Sequence, residues 1–218
     1  MKLDALRARA AETGLALTGA FHPEAGDGAP DGTRTLVLLG YGGPELWAAF
    51  QAGPEARDGE AHPLDRWSRR VIDGLAAAFG GAALYPFGGP PYQPFIRWTY
   101  KAEPLHQSKL GMSIHEERGL WSGWRGAIAL KDRLAFSPQG KTAHPCTPCP
   151  MPCRAACPVG AFTDDGYDAA SCRAHLNAPE GAPCREAGCL ARRACPVGPG
   201  FAQSAAQAAF HLDAFRRA

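Results

Sequence analysis

The chain has 218 residues, of which 45% are hydrophobic and 20% charged, with a formal net charge of +2. That length suits one ordinary domain and a smaller companion, and no run approaches the roughly 20 apolar residues of a membrane helix. The balanced charge provides no broad field for nucleic acid. The opening Met1–Arg7 reads as an amphipathic helix and not a signal peptide, so a cytoplasmic protein with neither nucleic acid nor membrane as partner is expected.

Leu3, Leu6 and Ala10 recur at helical spacing and Gly14 follows, which predicts a helix over 2–13. A short strand is expected over 15–21, a Pro/Gly/Asp-rich loop over 22–33, and a buried strand over 35–39, where Leu36-Val37-Leu38-Leu39 runs without interruption. Pro44 suits the first turn of a helix reaching about Gln51, and 52–62 reads as a polar loop. The clearest helix is 63–79, striped by Leu64, Trp67, Val71, Leu75 and Phe79 and stopped by Gly80-Gly81. A short strand over 82–85 leads into a Gly/Pro-rich aromatic loop over 85–100. Leu110, Met112 and Ile114 alternate, as do residues 127–130, which predicts a hairpin or two adjacent strands. Residues 137–145 read as a linker, and Phe201, Ala205, Ala208, Leu212 and Phe215 mark a final helix.

The eight cysteines all lie beyond residue 145. Cys146, Cys149, Cys153 and Cys157 form a C-x2-C-x3-C-x3-C-P run, and Cys184, Cys189 and Cys195 form a looser C-x4-C-x5-C-P run, with Cys172 between. Both runs end alike, Arg-Ala-Ala-Cys-Pro-Val-Gly at 154–160 and Arg-Arg-Ala-Cys-Pro-Val-Gly at 192–198, an internal repeat. In two-cluster bacterial ferredoxins the last cysteine of such a run serves the other cluster. Crossing the ligands in that way assigns Cys146, Cys149, Cys153 and Cys195 to one 4Fe–4S cluster and Cys157, Cys172, Cys184 and Cys189 to a second, with no cysteine left over. Two zinc sites of four thiolates each and four disulfides in an oxidising compartment are the alternatives.

Elsewhere, Gly40-Tyr41-Gly42-Gly43-Pro44-Glu45 invites a dinucleotide reading, but Glu45 stands where the fingerprint has glycine, and a tight strand-to-helix turn is the other account. The aromatic loop 85–100 reads either as a pocket wall for a flat ligand, flavin or corrin, or as simple packing of a Pro-rich loop. Tyr100 closes that loop, and Trp121 and Trp124 carry the same two readings. Arg125 suits a phosphate or carboxylate, or is an ordinary arginine. His115 is either a proton donor or structural.

The cysteine segment, with its two C-P endings and Ser171-Cys172-Arg173 between them, resembles the C-terminal part of epoxyqueuosine reductase, and Gly123-Trp124-Arg125-Gly126 is similar to a G-W-R-G stretch of that family. The middle of the chain, with His62-Pro63-Leu64-Asp65 and with Ile114-His115 followed by Gly119, Trp121 and Arg125-Gly126, is similar to the cobalamin-processing dealkylase/decyanase family. The resemblance implies an α+β fold: a nitroreductase-like, cobalamin-processing core over 1–140, a bacterial-ferredoxin-like two-cluster domain over 141–200, and a helix over 201–218 packing back. It implies an oxidoreductase in which two 4Fe–4S clusters supply a cobalamin in the N-terminal domain, with Tyr100, His115, Trp121 and Arg125 at the cofactor, fed by a low-potential electron-donor protein and acting on a corrinoid or small-molecule substrate. A ferredoxin-type carrier whose N-terminal domain docks a partner is the alternative. Where the reductase has its proposed proton-donating aspartate before an A-P pair, this chain reads Tyr100-Lys101-Ala102-Glu103-Pro104, so no catalytic residue is assigned.

Overall fold

In chain order the elements of the computed structural model are α1 (Lys2–Glu12), β1 (Ala16–Phe21), β2 (Thr35–Gly40), α2 (Glu45–Ala52), α3 (Pro63–Phe79), β3 (Gly81–Leu84), α4 (Phe95–Ala102), β4 (Leu105–Gln107), β5 (Ser113–His115), β6 (Trp124–Leu130), α5 (Pro152–Ala155), α6 (Ala169–Asn177), α7 (Ala182–Ala187), α8 (Leu190–Arg193) and α9 (Ala205–Arg217). The structure describes residues 2–137, 140 and 142–217. The linker expected at 137–145 falls partly on Pro138, Gln139 and Lys141, outside the described residues. The fold is mixed α+β, and among the described residues no helix is long and apolar enough to cross a membrane.

The chain divides into two units, Met1–Pro104 with Gly123–Lys141, and Leu105–Ser122 with Thr142–Ala218. The boundary differs from the one expected near 140, because 105–122 belongs with the cysteines. The reason is apolar: Leu110, Ile114 and Leu120 are buried in one cluster with Ala191 and Cys195. The 201–218 helix is α9, and it packs on α6 and α7 within the second unit.

The first unit is built on an antiparallel sheet of order β1-β2-β6-β3. Its central strand β2 is buried along its whole length, which is why it lacks the alternation of a half-exposed strand. Successive side chains of a strand point to opposite faces. Leu36 and Leu38 of β2 and Ala127 of β6 therefore meet Phe95, Trp98 and Ala102 of α4 on one face. On the other face Gly126 leaves room for Ile72 of α3, whose Cδ1 lies 2.7 Å from where a Cβ on Gly126 would stand. Helix α3 has Pro63 in its first turn and ends at Gly80, whose φ of 67° is the left-handed conformation of a glycine cap. Its inner face is Leu64, Trp67, Ile72, Leu75 and Ala76; Val71 and Phe79 of the expected stripe sit at the margin.

Helix α4 corrects the expectation of a loop throughout 85–100. Phe95, Trp98 and Ala102 carry a helical stripe, but it spans two turns and follows Pro90, Pro91 and Pro94, which read as breakers. The polar loop 52–62 likewise hides a buried carboxylate: Glu55 accepts from Arg70 Nε at 2.5 Å and Nη2 at 2.9 Å, and this partner holds its carboxyl below the usual range. Residues 110–114 and 127–130 are not partners in one hairpin. Strand β5 pairs with β4, and β6 with β2 and β3.

The glycine-rich stretch 40–45 is a tight turn. A Cβ on Gly40 would stand 2.2 Å from the Gly123 carbonyl oxygen, and one on Gly42 2.4 Å from Ala16 Cβ, while the Tyr41 N–H donates to Gly123 O at 2.7 Å. The glycines serve close backbone approach. Gly40→Ala is expected to destabilise the first unit by about 1–3 kcal/mol through overpacking; a thermal melt unchanged from the parent chain would refute this.

Candidate metal centres

The internal repeat is also a structural repeat. Each run forms a four-residue helical turn, α5 or α8, with a cysteine at its start (Cys153 within α5, Cys189 capping α8) and a C-P pair two residues past its end. The two turns pack against each other. This contact separates the cysteines of each run into different cavities.

One small cavity of about 10 Å³ is lined by Cys146, Cys149, Cys153 and Cys195. A second, more open cavity of about 380 Å³ is lined by Cys157, Cys172, Cys184 and Cys189. The final cysteine of each repeat thus faces the other quartet. All eight are free thiols in the structure. Among the described residues no group of three or more His, Cys, Asp or Glu side chains is gathered to hold a single metal ion.

Backbone N–H groups point at the sulfurs. Ala161 donates to Cys157 Sγ at 3.3 Å. Backbone N–H groups of Ala191 and Arg192 beside Cys189, of Leu190 beside Cys184, of Val197 and Leu120 beside Cys195, and of Arg154 beside Cys153 favour the thiolate forms. Burial pushes the thiols of Cys153, Cys184, Cys189 and Cys195 up, neighbouring thiols of the same quartet add to this, and the backbone donors oppose it. Ligand binding must displace their protons, because the thiolate is the metal ligand.

The segment 105–122 walls the first quartet. Gly119, at φ 57°, lies so close to the second repeat that a Cβ there would stand 1.9 Å from Val197 O. His115 is buried, its backbone exchanges hydrogen bonds of 2.9 Å with Gly119, and its Nδ1 accepts from the Glu117 N–H at 3.1 Å, so the imidazole braces this turn. Trp121 is buried under Arg192, whose guanidinium carbon lies 4.5 Å from the ring centroid and whose Nε donates to Leu120 O at 2.9 Å.

Tyr100 and Arg125 belong to the first unit. Arg125 donates from Nε to Ser68 Oγ at 2.9 Å and from Nη2 to Asp65, and its guanidinium stands 5.4 Å from the Phe87 ring centroid. Burial lowers its proton affinity and Asp65 restores part of it. Phe87 stacks on Tyr85 at 5.2 Å, and the Tyr85 hydroxyl donates to Asp73 Oδ1 at 2.7 Å. Burial and Asp73 both push that phenol's pKa up. Tyr100 lines an open groove of about 720 Å³ along α4 with Pro86, Pro94, Ile96, Arg97 and Lys101, a cavity that Arg125 does not line. Of the four residues expected at one cofactor, His115 and Trp121 therefore lie within the second unit, while Tyr100 lines the α4 groove of the first without Arg125.

The site also contains residues that sequence reasoning passed over. Phe162 and Tyr167 pair across a turn closed by Thr163 N–H to Gly166 O at 2.9 Å, and both line the second cavity. The signal was present as an Asp-Asp-Gly turn between two aromatics.

Compared with protein-family models, curated proteins and solved structures, the chain matches none.

Proposed function

We propose that the chain is an iron–sulfur redox protein holding two 4Fe–4S clusters, one on Cys146, Cys149, Cys153 and Cys195 and the other on Cys157, Cys172, Cys184 and Cys189. The observation that carries this reading is the sorting of eight thiols into two separate quartets, each taking its fourth member from the other repeat. The donor chemistry fits: four thiols, backbone N–H groups directed at sulfur, and largely apolar walls. The cavity that the second quartet lines, about 380 Å³, offers more room than a single four-coordinate zinc ion occupies. When bound, such clusters supply one-electron transfer over a wide range of potential. The chain's part is to hold the thiolates, to offset their charge with N–H dipoles, and to exclude water with Leu110, Ile114 and Leu120. Thiols kept for metal belong in a reducing compartment, the cytoplasm.

In this reading the second unit is a bacterial-ferredoxin-like domain and the first is a nitroreductase-like core that takes a corrinoid, or less favourably a flavin. The α4 groove supports this, being open, largely apolar and bordered by the polar heads of Tyr100, Arg97 and Lys101, the composition of a small-molecule site. A low-potential electron-donor protein completes the scheme. A second reading, a ferredoxin-type carrier with a docking domain, is favoured by the exposure of Tyr92, Ile96 and Tyr100, an apolar surface of the kind that partners cover.

Protein purified without oxygen is expected to contain about eight irons per chain; stoichiometric zinc without iron would exclude the reading. Adding hydroxocobalamin to that protein is expected to shift its visible spectrum toward the base-off form, since no imidazole is placed in the α4 groove. Absence of both a spectral shift and binding heat would favour the carrier.

A further inference from the structure

We propose that His144 is a positioning residue for the first thiol quartet: its imidazole ties the turn that carries Cys146 to β4, and so holds the cluster corner on Cys146 in place when the cluster is oxidised. The inference rests on the reading of the quartets as cluster ligands.

The thiols differ in what supports them. Cys157 follows α5, Cys172 lies in α6, Cys184 lies in α7 and Cys189 caps α8, so every thiol of the second quartet stands on or beside a helix. In the first quartet Cys153 lies in α5 and Cys195 follows α8, and these two helices pack together. Cys146 lies outside them. It sits in a turn over 144–147, with Pro145 in the second position and the Thr147 N–H donating to His144 O at 3.0 Å. Its own carbonyl accepts from the Cys149 N–H at 3.3 Å.

The His144 side chain fixes that turn at both ring nitrogens. The Cys146 N–H donates to His144 Nδ1 at 3.1 Å, the bond to the residue two positions on that Asn and Asp make in Asx-turns. Nε2 lies 3.1 Å from Gln107 O of β4. A nitrogen facing an N–H accepts and one facing a carbonyl carries the ring proton, so one neutral tautomer satisfies both. The ring also lies against His106, with centroids 4.7 Å apart, and His106 Nε2 is 3.4 Å from Thr142 Oγ1. Residues 108–110, directly after β4, line the same cavity as Cys146. One imidazole therefore connects the ligand turn to the wall of its cavity. Partners that orient a metal ligand set how firmly the metal is held, and the corner on Cys146 is the one that depends on a single side chain for this.

The test is oxidation of the anaerobic holoprotein with ferricyanide, followed by electron paramagnetic resonance and by iron release. Ferricyanide takes one electron from a 4Fe–4S cluster in its 2+ state, and departure of one Fe2+ then leaves a three-iron cluster of charge 1+, which has its own signal. His144→Ala removes both hydrogen bonds and is expected to release that iron faster than the parent chain, on the order of tenfold. His144→Asn keeps an acceptor for the Cys146 N–H and is expected to fall nearer the parent. Repeating the comparison in a Cys184→Ser background, which lacks the second cluster, should leave the difference intact. Equal release from the parent and His144→Ala, disappearance of the difference in the Cys184→Ser background, or an asparagine variant as labile as the alanine variant would each overturn the inference. Should His144→Ala fail to take up the first cluster, iron content decides: about four more irons in His144→Asn support the inference, and equal content overturns it. Failure of the parent chain to take up iron would instead overturn the reading on which it rests.

Discussion

Cys195→Ser is expected to remove about four of about eight irons and to abolish the same resonance signal that Cys146→Ser abolishes. Cys195 follows α8, and in sequence it is far nearer to Cys184 and Cys189 than to Cys146. A local reading of the second run would therefore group it with Cys189. The structure places its sulfur in the cavity of Cys146, Cys149 and Cys153, and the thiols of Cys146 and Cys149 help to push its own thiol up. The reciprocal case is Cys157, whose loss should match the loss of Cys172 or Cys184. Iron analysis and resonance spectra of the four single variants test this pattern. If the Cys195 variant resembled the Cys184 variant, the quartets would be uncrossed. Serine keeps the size of cysteine, so a folding defect should be small, and far-ultraviolet circular dichroism separates it from cluster loss.

Trp98→Ala is expected to destabilise the first unit by about 3–5 kcal/mol, the cost of emptying a large buried aromatic site. Trp98 is fully buried between α4 and the sheet, among Phe21, Leu36, Leu38, Phe95 and Ala127, and its Nε1 donates to Asp27 O at 2.8 Å. Asp27 in turn pairs with Lys101 at 2.7 Å and accepts from the Glu24 N–H at 2.8 Å, so one side chain anchors both α4 and the loop 22–34. Trp98→Phe keeps much of the volume but leaves the Asp27 carbonyl without its indole donor, and should cost about 1–2 kcal/mol. Urea denaturation followed by circular dichroism measures both. A domain of ordinary stability has only about 5–15 kcal/mol to lose, so the alanine variant should show a large fall in midpoint. Equal losses for the two variants would mean that the hydrogen bond, and not the packing, dominates.

Much of the fold was legible because it is encoded at short range. Helix α3 is signalled by apolar spacing, Pro63 and the Gly80 stop, and β2 by an uninterrupted apolar run. The expected α1 stripe of Leu3, Leu6 and Ala10 is its buried face. Helix α4 was obscured because its two turns follow three prolines, and a short stripe cannot outweigh such neighbours on local grounds. The alternation at 110–114 was visible but its partner was not, since β5 pairs with a three-residue strand, β4, too short to announce itself.

The candidate site divides in the same way. By itself the sequence determined which residues are chemically special: eight thiols, the doubled C-P ending and the two quartets that a crossed assignment requires, all of them matters of residue type and spacing. Only the tertiary structure decided that 105–122 walls the thiols, that His115 and Trp121 are buried in that wall, that Arg125 is committed to Asp65 and Ser68, and that Phe162 and Tyr167 line the second cavity. Spacing along a chain sets the period of a helix or strand, and so which side chains share a face. Which distant face covers it depends on the volumes and hydrogen bonds of elements tens of residues away, and those become determinate only when the chain has packed.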